Sequence, residues 1–481
     1  MAAYLDVRRC TPEGTFAAAQ ARVAALAASG VTAVVLHPPV TACLSHTPGT
    51  PPGDGPASQL SEEDASSPLS LFAPDWRCGT PNDLLALVGA CHAHGLRVLH
   101  SIQLAHTSDR VTSAAATGSG GVWSLAALDA PSYFDVIQCA DAPPVGEPGS
   151  AVSLVPSPAA GPPRPAPNPP PPAALNPCAP ATQTLVVDAM RHWAATYRVD
   201  GFLLLGAAAA NRGPHGRPPL LESIALDAVV GGPGALVFAH NLDGSPGEVS
   251  LPHWGVLGDT IRQFPTDILA FCDGAGGQLS ALATRLCGSG DVVGGTLRGP
   301  AFALNAAPPA SQTASPAHAR LAVLITMAAA GMPTLRGADL LADPAMGLFV
   351  KGAADARKAH AELLGRAQFP EDGAIGWFDN AMGRPKWEDP AAPALMAVAM
   401  PAALPTLFLA LNASREEVEF QLPPTPPGKA WRVLLDAGAP PPVDAMPRVR
   451  LLCCARVVSR SLSVCILCIT LHRRCLRPRP R

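Results

Sequence analysis

Apolar positions fall along most of the chain in two alternating patterns, one helical and one extended. Phe16, Ala19, Val23 and Leu26 stand at helical spacing over residues 16–29, and Gly30 then introduces Val31-Thr32-Ala33-Val34-Val35-Leu36, a β-branched run expected to be a buried strand. Thr80-Pro81-Asn82-Asp83 predicts the start of a second helix running through Ala93, because proline fits the first helical turn and a short polar side chain accepts the free amide protons there. Gly95 ends that helix, and residues 96–104 follow as a strand. A helix carrying Leu185, Val186, Met190, Trp193 and Ala194 ends at Tyr197 and hands over to Gly201-Phe202-Leu203-Leu204-Leu205, an uninterrupted apolar run of the kind covered on both faces. The same grammar recurs over 217–239, 277–304 and 319–335, each stretch ending in an apolar strand. Repeated helix-to-strand units with short links make parallel strands, and this many predict a closed (β/α)8 TIM barrel.

From about Leu395 the pattern changes to alternation in residues 406–412, 418–422 and 431–436, which predicts a small C-terminal antiparallel β-domain. The expected organisation is therefore an α/β chain with a barrel over 1–394, a β-domain over 395–446 and an Arg/Cys-rich tail over 447–481. The tail is expected to be disordered or a gene-model artefact. Residues 143–181, dominated by Pro, Ala and Gly, cannot form a packed core and read as an inserted polyproline surface loop, a spacer or else a docking motif read through its polyproline shape. Residues 40–65 form a shorter polar loop.

Composition narrows the partners. A net charge of −3 with 15% charged residues provides no basic field for nucleic acid and no polybasic run beside a membrane anchor. Arg456 and Arg460 interrupt the apolar tail, against a membrane span. Thirteen cysteines scattered through so long a chain favour free thiols in a reducing compartment. Cys465-Ile-Leu-Cys468 has metal-site spacing but lacks a second pair or a histidine at finger spacing, so no metal and no cofactor are expected. The N-terminus, entering structure at Met1-Ala-Ala-Tyr-Leu-Asp, is expected to carry no signal or transit peptide.

Several stretches, in order, resemble the glycoside hydrolase family 13 (the α-amylase family), in particular its isoamylase-type starch debranching enzymes. They are Tyr4-Leu-Asp-Val-Arg8, Ser67-Pro-Leu-Ser-Leu-Phe-Ala-Pro-Asp75, Leu251-Pro-His-Trp-Gly255, Ile261-Arg-Gln-Phe264, Leu286-Cys-Gly-Ser289, Leu411-Asn-Ala-Ser414 and Trp431-Arg-Val-Leu-Leu-Asp436. The resemblance runs from about Tyr4 to about Asp444, and the β-sandwich that usually precedes the family's barrel is expected to be absent. Such enzymes cleave with retention, one carboxylate as nucleophile and a second as acid/base across the scissile bond. By the resemblance the nucleophile falls on Leu205, the acid/base on His240 and the third carboxylate on Ala307. The orienting arginine falls on Leu203 and the transition-state histidine on Ala306, while Ser101, Ala105 and Ser66 replace further site residues. His106 and Asp339 survive as candidate sugar contacts or as hydrogen-bonded relics, and Leu340 replaces the usual glutamate. Trp254 is a further candidate sugar contact, with a core or interface role as its alternative. Asp200 precedes Gly201 at the wrong end of the strand for chemistry, and Cys287 reads as a small buried hydrophobe.

Leucine has no lone pair to attack an anomeric carbon, so the resemblance implies an uncatalytic chain with no catalytic residues of its own. Gly383-Arg-Pro-Lys-Trp-Glu-Asp-Pro390 resembles the non-catalytic isoamylase class of plants and algae. That class implies a regulatory subunit in starch metabolism, hetero-oligomeric with a catalytic isoamylase, in contact with branched α-glucan and located in the chloroplast. The alternatives are an active α-1,6-glucosidase using other acids such as Asp243 or Glu222, a stand-alone glucan-binding protein, and a decayed or mis-assembled gene product.

Overall fold

The computed structural model describes residues 1–37, 40, 68–107, 125, 129, 132–134, 173–207, 219–232, 234–240, 256–274, 279–293, 303–366, 369–370, 374–387, 389, 395–401, 406–414, 416–427, 429–438, 451–452, 456–459 and 463–471. Eight parallel strands close the barrel: β1 Ala2–Leu5, β2 Ala33–Leu36, β3 Arg97–Gln103, β4 Gly201–Leu205, β5 Leu236–His240, β6 Gly258–Thr260, β7 Ala303–Ala306 and β8 Met332–Arg336. They pair in chain order around the ring, and β1 closes against β8. The expected TIM barrel is thus present. One of its strands, β6, left no apolar run to read, because it is the three residues Gly258, Asp259 and Thr260.

Side-chain alternation sorts each strand between two cores. Ala2, Val35, Leu99, Leu203, Leu205 and Leu304 form the cluster inside the barrel, with Tyr4, Phe238 and Met332 packed on it. Their neighbours Leu36, Val98, Phe202, Leu204 and Val237 face the helical layer. That layer starts where the sequence says it should. Thr80 accepts from the Asp83 amide, and Asp83 accepts in return from the Thr80 backbone at 2.8 Å, a reciprocal cap on the helix Pro81–Ala93. The stretch 16–29 departs from expectation, forming two helices, Phe16–Gln20 and Val23–Ala28, broken at residues 21–22.

Asp200 ties the lower end of the barrel. It accepts from Val98 N at 2.8 Å, Arg97 Nη1 at 2.6 Å and His92 Nε2 at 2.9 Å, which joins the start of β4 to β3 and its preceding helix. This agrees with its reading as a junction residue.

A second sheet follows. Its strands are β9 Gly376–Phe378, β10 Leu395–Met400, β11 Leu407–Asn412, β13 Lys429–Asp436, β14 Leu451–Leu452 and β16 Ser463–Leu471; β12 Val418–Gln421 pairs apart with β15 Arg456–Ser459. Two expectations change here. The sheet includes Gly376–Phe378, ahead of residue 395, and residues 463–471 of the tail expected to be disordered run antiparallel between β11 and β13. All six residues of β10 are buried. Met396, Val398 and Met400 join the core shared with the barrel helices, and Leu395, Ala397 and Ala399 join a second core with Phe408, Phe420 and Trp431. Arg320, on the helix Pro316–Ala328, donates from Nε to Ala437 O at 2.8 Å and so pins the sheet to the barrel.

Candidate functional site

In an α/β barrel the C-terminal strand ends and the connections that follow them form the ligand-binding face. Leu205 is the last residue of β4 and His240 the last of β5, and the two are register partners. On the other side Leu205 pairs with Gln103, the last residue of β3. Leu205 is 5% exposed within the interior apolar cluster, and Leu203, one layer below, is equally enclosed. Neither side chain offers a proton, a charge or a lone pair. His240 is half-buried, and burial holds its imidazole below the ordinary histidine range, so it is neutral at neutral pH.

The exits of β3 and β4 are locked together. Leu104 N donates to Leu205 O at 2.9 Å, and Gln103 Oε1 accepts from Ala105 N at 3.0 Å. Gly206 turns the chain at φ +67°, where a Cβ would stand 2.5 Å from that of Ala105 and 2.8 Å from Gln103 Oε1, so only glycine lets the two exits approach. Just beyond, His106 opens the two-residue strand His106–Thr107, paired with Ala173–Ala174, which keeps the half-buried ring beside this rim. Ser101 does not face an open site, because its hydroxyl donates to Leu36 O at 2.6 Å.

Across the barrel, Ala306 ends β7 opposite Thr334, and Ala307 N donates to Thr334 O at 2.9 Å. Asp339 sits in the first turn of the helix Gly337–Ala342, and its Oδ2 accepts from Ala310 N at 3.0 Å. Its carboxylate therefore braces the loop that follows Ala307. Leu340 is buried behind it. Trp254, Ser66 and Asp243 lie outside the described residues, and Glu222 lies in the first turn of the helix Pro219–Leu226, away from any strand end.

Sequence reasoning missed one carboxylate at the barrel. Asp259 of β6 is buried, and its charge adds to burial in pushing the Tyr4 phenol above its usual range. Its flanks, Gly258 and Thr260, carry no strand signal, which is why the position escaped notice. Burial likewise pushes the Cys287 thiol up, so it is no ready nucleophile. Among the described residues no three His, Cys, Asp or Glu side chains gather as metal ligands, and no helix is long and apolar enough to cross a membrane.

The strand ends thus present leucine, a neutral imidazole and alanine at 205, 240 and 307. A retaining glycosidase needs two carboxyl groups about 5–5.5 Å apart, one of them able to attack carbon. Leu205 and Ala307 supply neither attack nor charge.

No family model matches the chain. Among relatives, the chain is 26% identical over 508 residues to isoamylase 2, chloroplastic, of Arabidopsis thaliana, covering 89% of this chain and 52% of that protein. It is 26% identical over 333 residues to isoamylase 2, chloroplastic, of Oryza sativa subsp. japonica, covering 54% of this chain and 41% of that one. The chain thus spans about half the length of these relatives. Among solved structures, a type I pullulanase from Bacillus subtilis superposes with TM-score 0.63 at 16% identity, covering 97% of this chain and 69% of that one, a likeness of fold. A fold of the pullulanase kind, joined to sequence likeness with plant isoamylases across most of the length, makes the chain similar to the isoamylase-type members of glycoside hydrolase family 13.

Proposed function

We propose that this chain is a non-catalytic, regulatory isoamylase-like subunit of starch metabolism, working with a catalytic α-1,6-glucan debranching enzyme. The observation that carries the reading is the register pair Leu205 and His240 at the ends of β4 and β5. These are the positions where the resemblance puts nucleophile and acid/base, and they hold a hydrocarbon and a neutral imidazole. Without a nucleophilic oxygen no covalent glycosyl intermediate forms, and without a second carboxylate nothing balances an oxocarbenium-like transition state. Removing one member of a catalytic set costs on the order of ten-thousand-fold or more, and here three positions change together.

The role that follows is association. The chain binds a catalytic isoamylase through barrel and C-terminal surfaces and helps to present branched α-glucan to it. His106 and Asp339 remain as residual sugar contacts on the same rim, and Trp254, outside the described residues, is a further candidate by the resemblance. A plastid location accompanies this role, in keeping with the chloroplastic relatives. Reducing-sugar release from amylopectin, by the purified protein alone and mixed with a catalytic isoamylase, tests the reading. Inactivity alone with altered activity in the mixture is the expected result. Debranching by the protein alone would refute it and direct the search for an acid to Asp259.

A further inference from the structure

One feature of the ligand-bearing face has no part in the strand-end positions. The connection from β2 to the helix Pro81–Ala93 leaves the C-terminal end of a barrel strand, and a bridge between Val40 and Pro74 keeps it beside that end. Trp76 lies on it and is 62% exposed, the one aromatic among the exposed large apolar side chains of the described residues. An indole in water forfeits the burial that its large surface ordinarily finds, so its placement calls for a use.

The ground beneath the ring is rigid. Asp75 is fully buried and caps the short turn Trp76–Cys78 through the Arg77 amide. Arg77 returns a two-pronged pair to the same carboxylate, Nε to Oδ1 at 2.8 Å and Nη2 to Oδ2 at 2.8 Å, with only 4% of its side chain exposed. Fork-on-carboxylate geometry fixes orientation as well as position, and burying such a pair is a costly way to hold a loop that had no further task. The guanidinium carbon lies over the indole, 5.9 Å from its centre, so the ring is backed on one side and open to solvent on the other.

The chemistry of the open face selects the ligand. Asp75 neutralises Arg77, so this guanidinium is not offered to an anion. What is offered is a flat, electron-rich surface on a firmly held turn, which suits the C–H face of a pyranose whose hydroxyls stay in water. The geometry points to Trp76 as a stacking platform for a glucose ring of α-glucan on the rim of the barrel mouth. This rests on the α-glucan reading above, and it gives the chain a glucan contact that needs no carboxylate at the strand ends.

Native electrophoresis of the full chain in gels with and without amylopectin reads the contact, and titration with maltoheptaose gives its affinity. The wild-type chain is expected to be retarded, with Trp76→Ala weakening binding about tenfold or more and Trp76→Tyr retaining most of it. Circular dichroism melts should coincide for all three, because the ring is exposed. A wild-type chain that is not retarded, or an alanine variant retarded equally, overturns the proposal. Co-purification of the same variants with a catalytic isoamylase is read separately. Retained association with lost retardation supports the platform, whereas lost association with unchanged retardation would make Trp76 a protein contact and overturn it. A wild type that binds the isoamylase but not glucan removes the platform and leaves the regulatory reading standing.

Discussion

Leu205 and His240 face each other across the β4–β5 ladder, each the final residue of its strand. Neighbouring strands lie about 4.8 Å apart, so this pair of positions is one at which two carboxylates would naturally reach the separation a retaining glycosidase uses. The barrel offers the scaffold for that chemistry, and the side chains on it fill the interior instead. Leu205 packs with Leu203, Leu99 and Leu304.

That packing makes the position costly to convert. Leu205→Asp places a carboxylate in an apolar cluster at a 5% exposed site, and should destabilise the fold by at least about 3 kcal/mol at pH 7. Burial raises the pKa of the new acid, so its neutral form predominates at lower pH and the deficit should shrink toward pH 5. Urea denaturation of wild type and variant at the two pH values checks both size and sign. An equal deficit at both would mean the side chain reaches solvent.

His100 supplies a pH dependence of the opposite kind. Its ring lies fully buried on Trp193, centroids 3.9 Å apart, with neither nitrogen hydrogen-bonded, and burial pushes its pKa down to about 3. The unfolded chain takes up this proton near pH 6.5, the folded chain only near 3, so between those values the unfolded state binds more protons and stability falls as pH falls. Relative to His100→Leu, the wild type should lose about 2 kcal/mol between pH 7 and pH 5. Parallel denaturation curves for the two proteins over that range would contradict the assignment.

The sequence made these two positions unequally legible. Leu203 and Leu205 declare a buried strand because both faces of a parallel sheet are covered, and the run is therefore continuous. His100 sits in a strand read correctly, but its stacking on Trp193 spans 93 residues of chain and depends on how the helix Pro180–Tyr197 docks. Asp259 and all of β6 were invisible for a related reason. A three-residue strand of Gly, Asp and Thr is held by its neighbours in the ladder rather than by its own pattern. At the rim, positions 205, 240 and 307 were singled out only through family resemblance. Asp339 was likewise named by resemblance, but its grip on Ala310 N required the fold.

Asp200 should matter to stability and not to glucan. Burial alone would raise its pKa, but the hydrogen bonds from Val98, Arg97 and His92 outweigh it and hold the carboxyl below its usual range. Its contribution is therefore present above about pH 4, the ordinary carboxylate range, and is lost as pH falls through the lower folded value. Asp200→Ala leaves Arg97 and the Val98 amide without this partner, and is expected to cost about 2 kcal/mol at pH 7. Thermal melts at pH 7 check this, and retardation in amylopectin gels should be unchanged.

Residues 463–471 provide the sharpest test of the C-terminal region. This strand runs antiparallel between β11 and β13, with register partners from Leu407↔Cys468 to Asn412↔Ser463 on one side and from Lys429↔Leu471 to Asp436↔Cys465 on the other. A chain ended after Asp444 would leave the inner edges of β11 and β13 with unpaired backbone groups, in a sheet that covers the helix Pro316–Ala328. Open edges are templates for association between molecules, and the buried backbone groups lose their partners. The truncated chain should therefore express largely as aggregate, or melt well below the full chain by circular dichroism. If it stays soluble and melts at the same temperature, β16 contributes nothing to the sheet and the domain is complete with the strands before it.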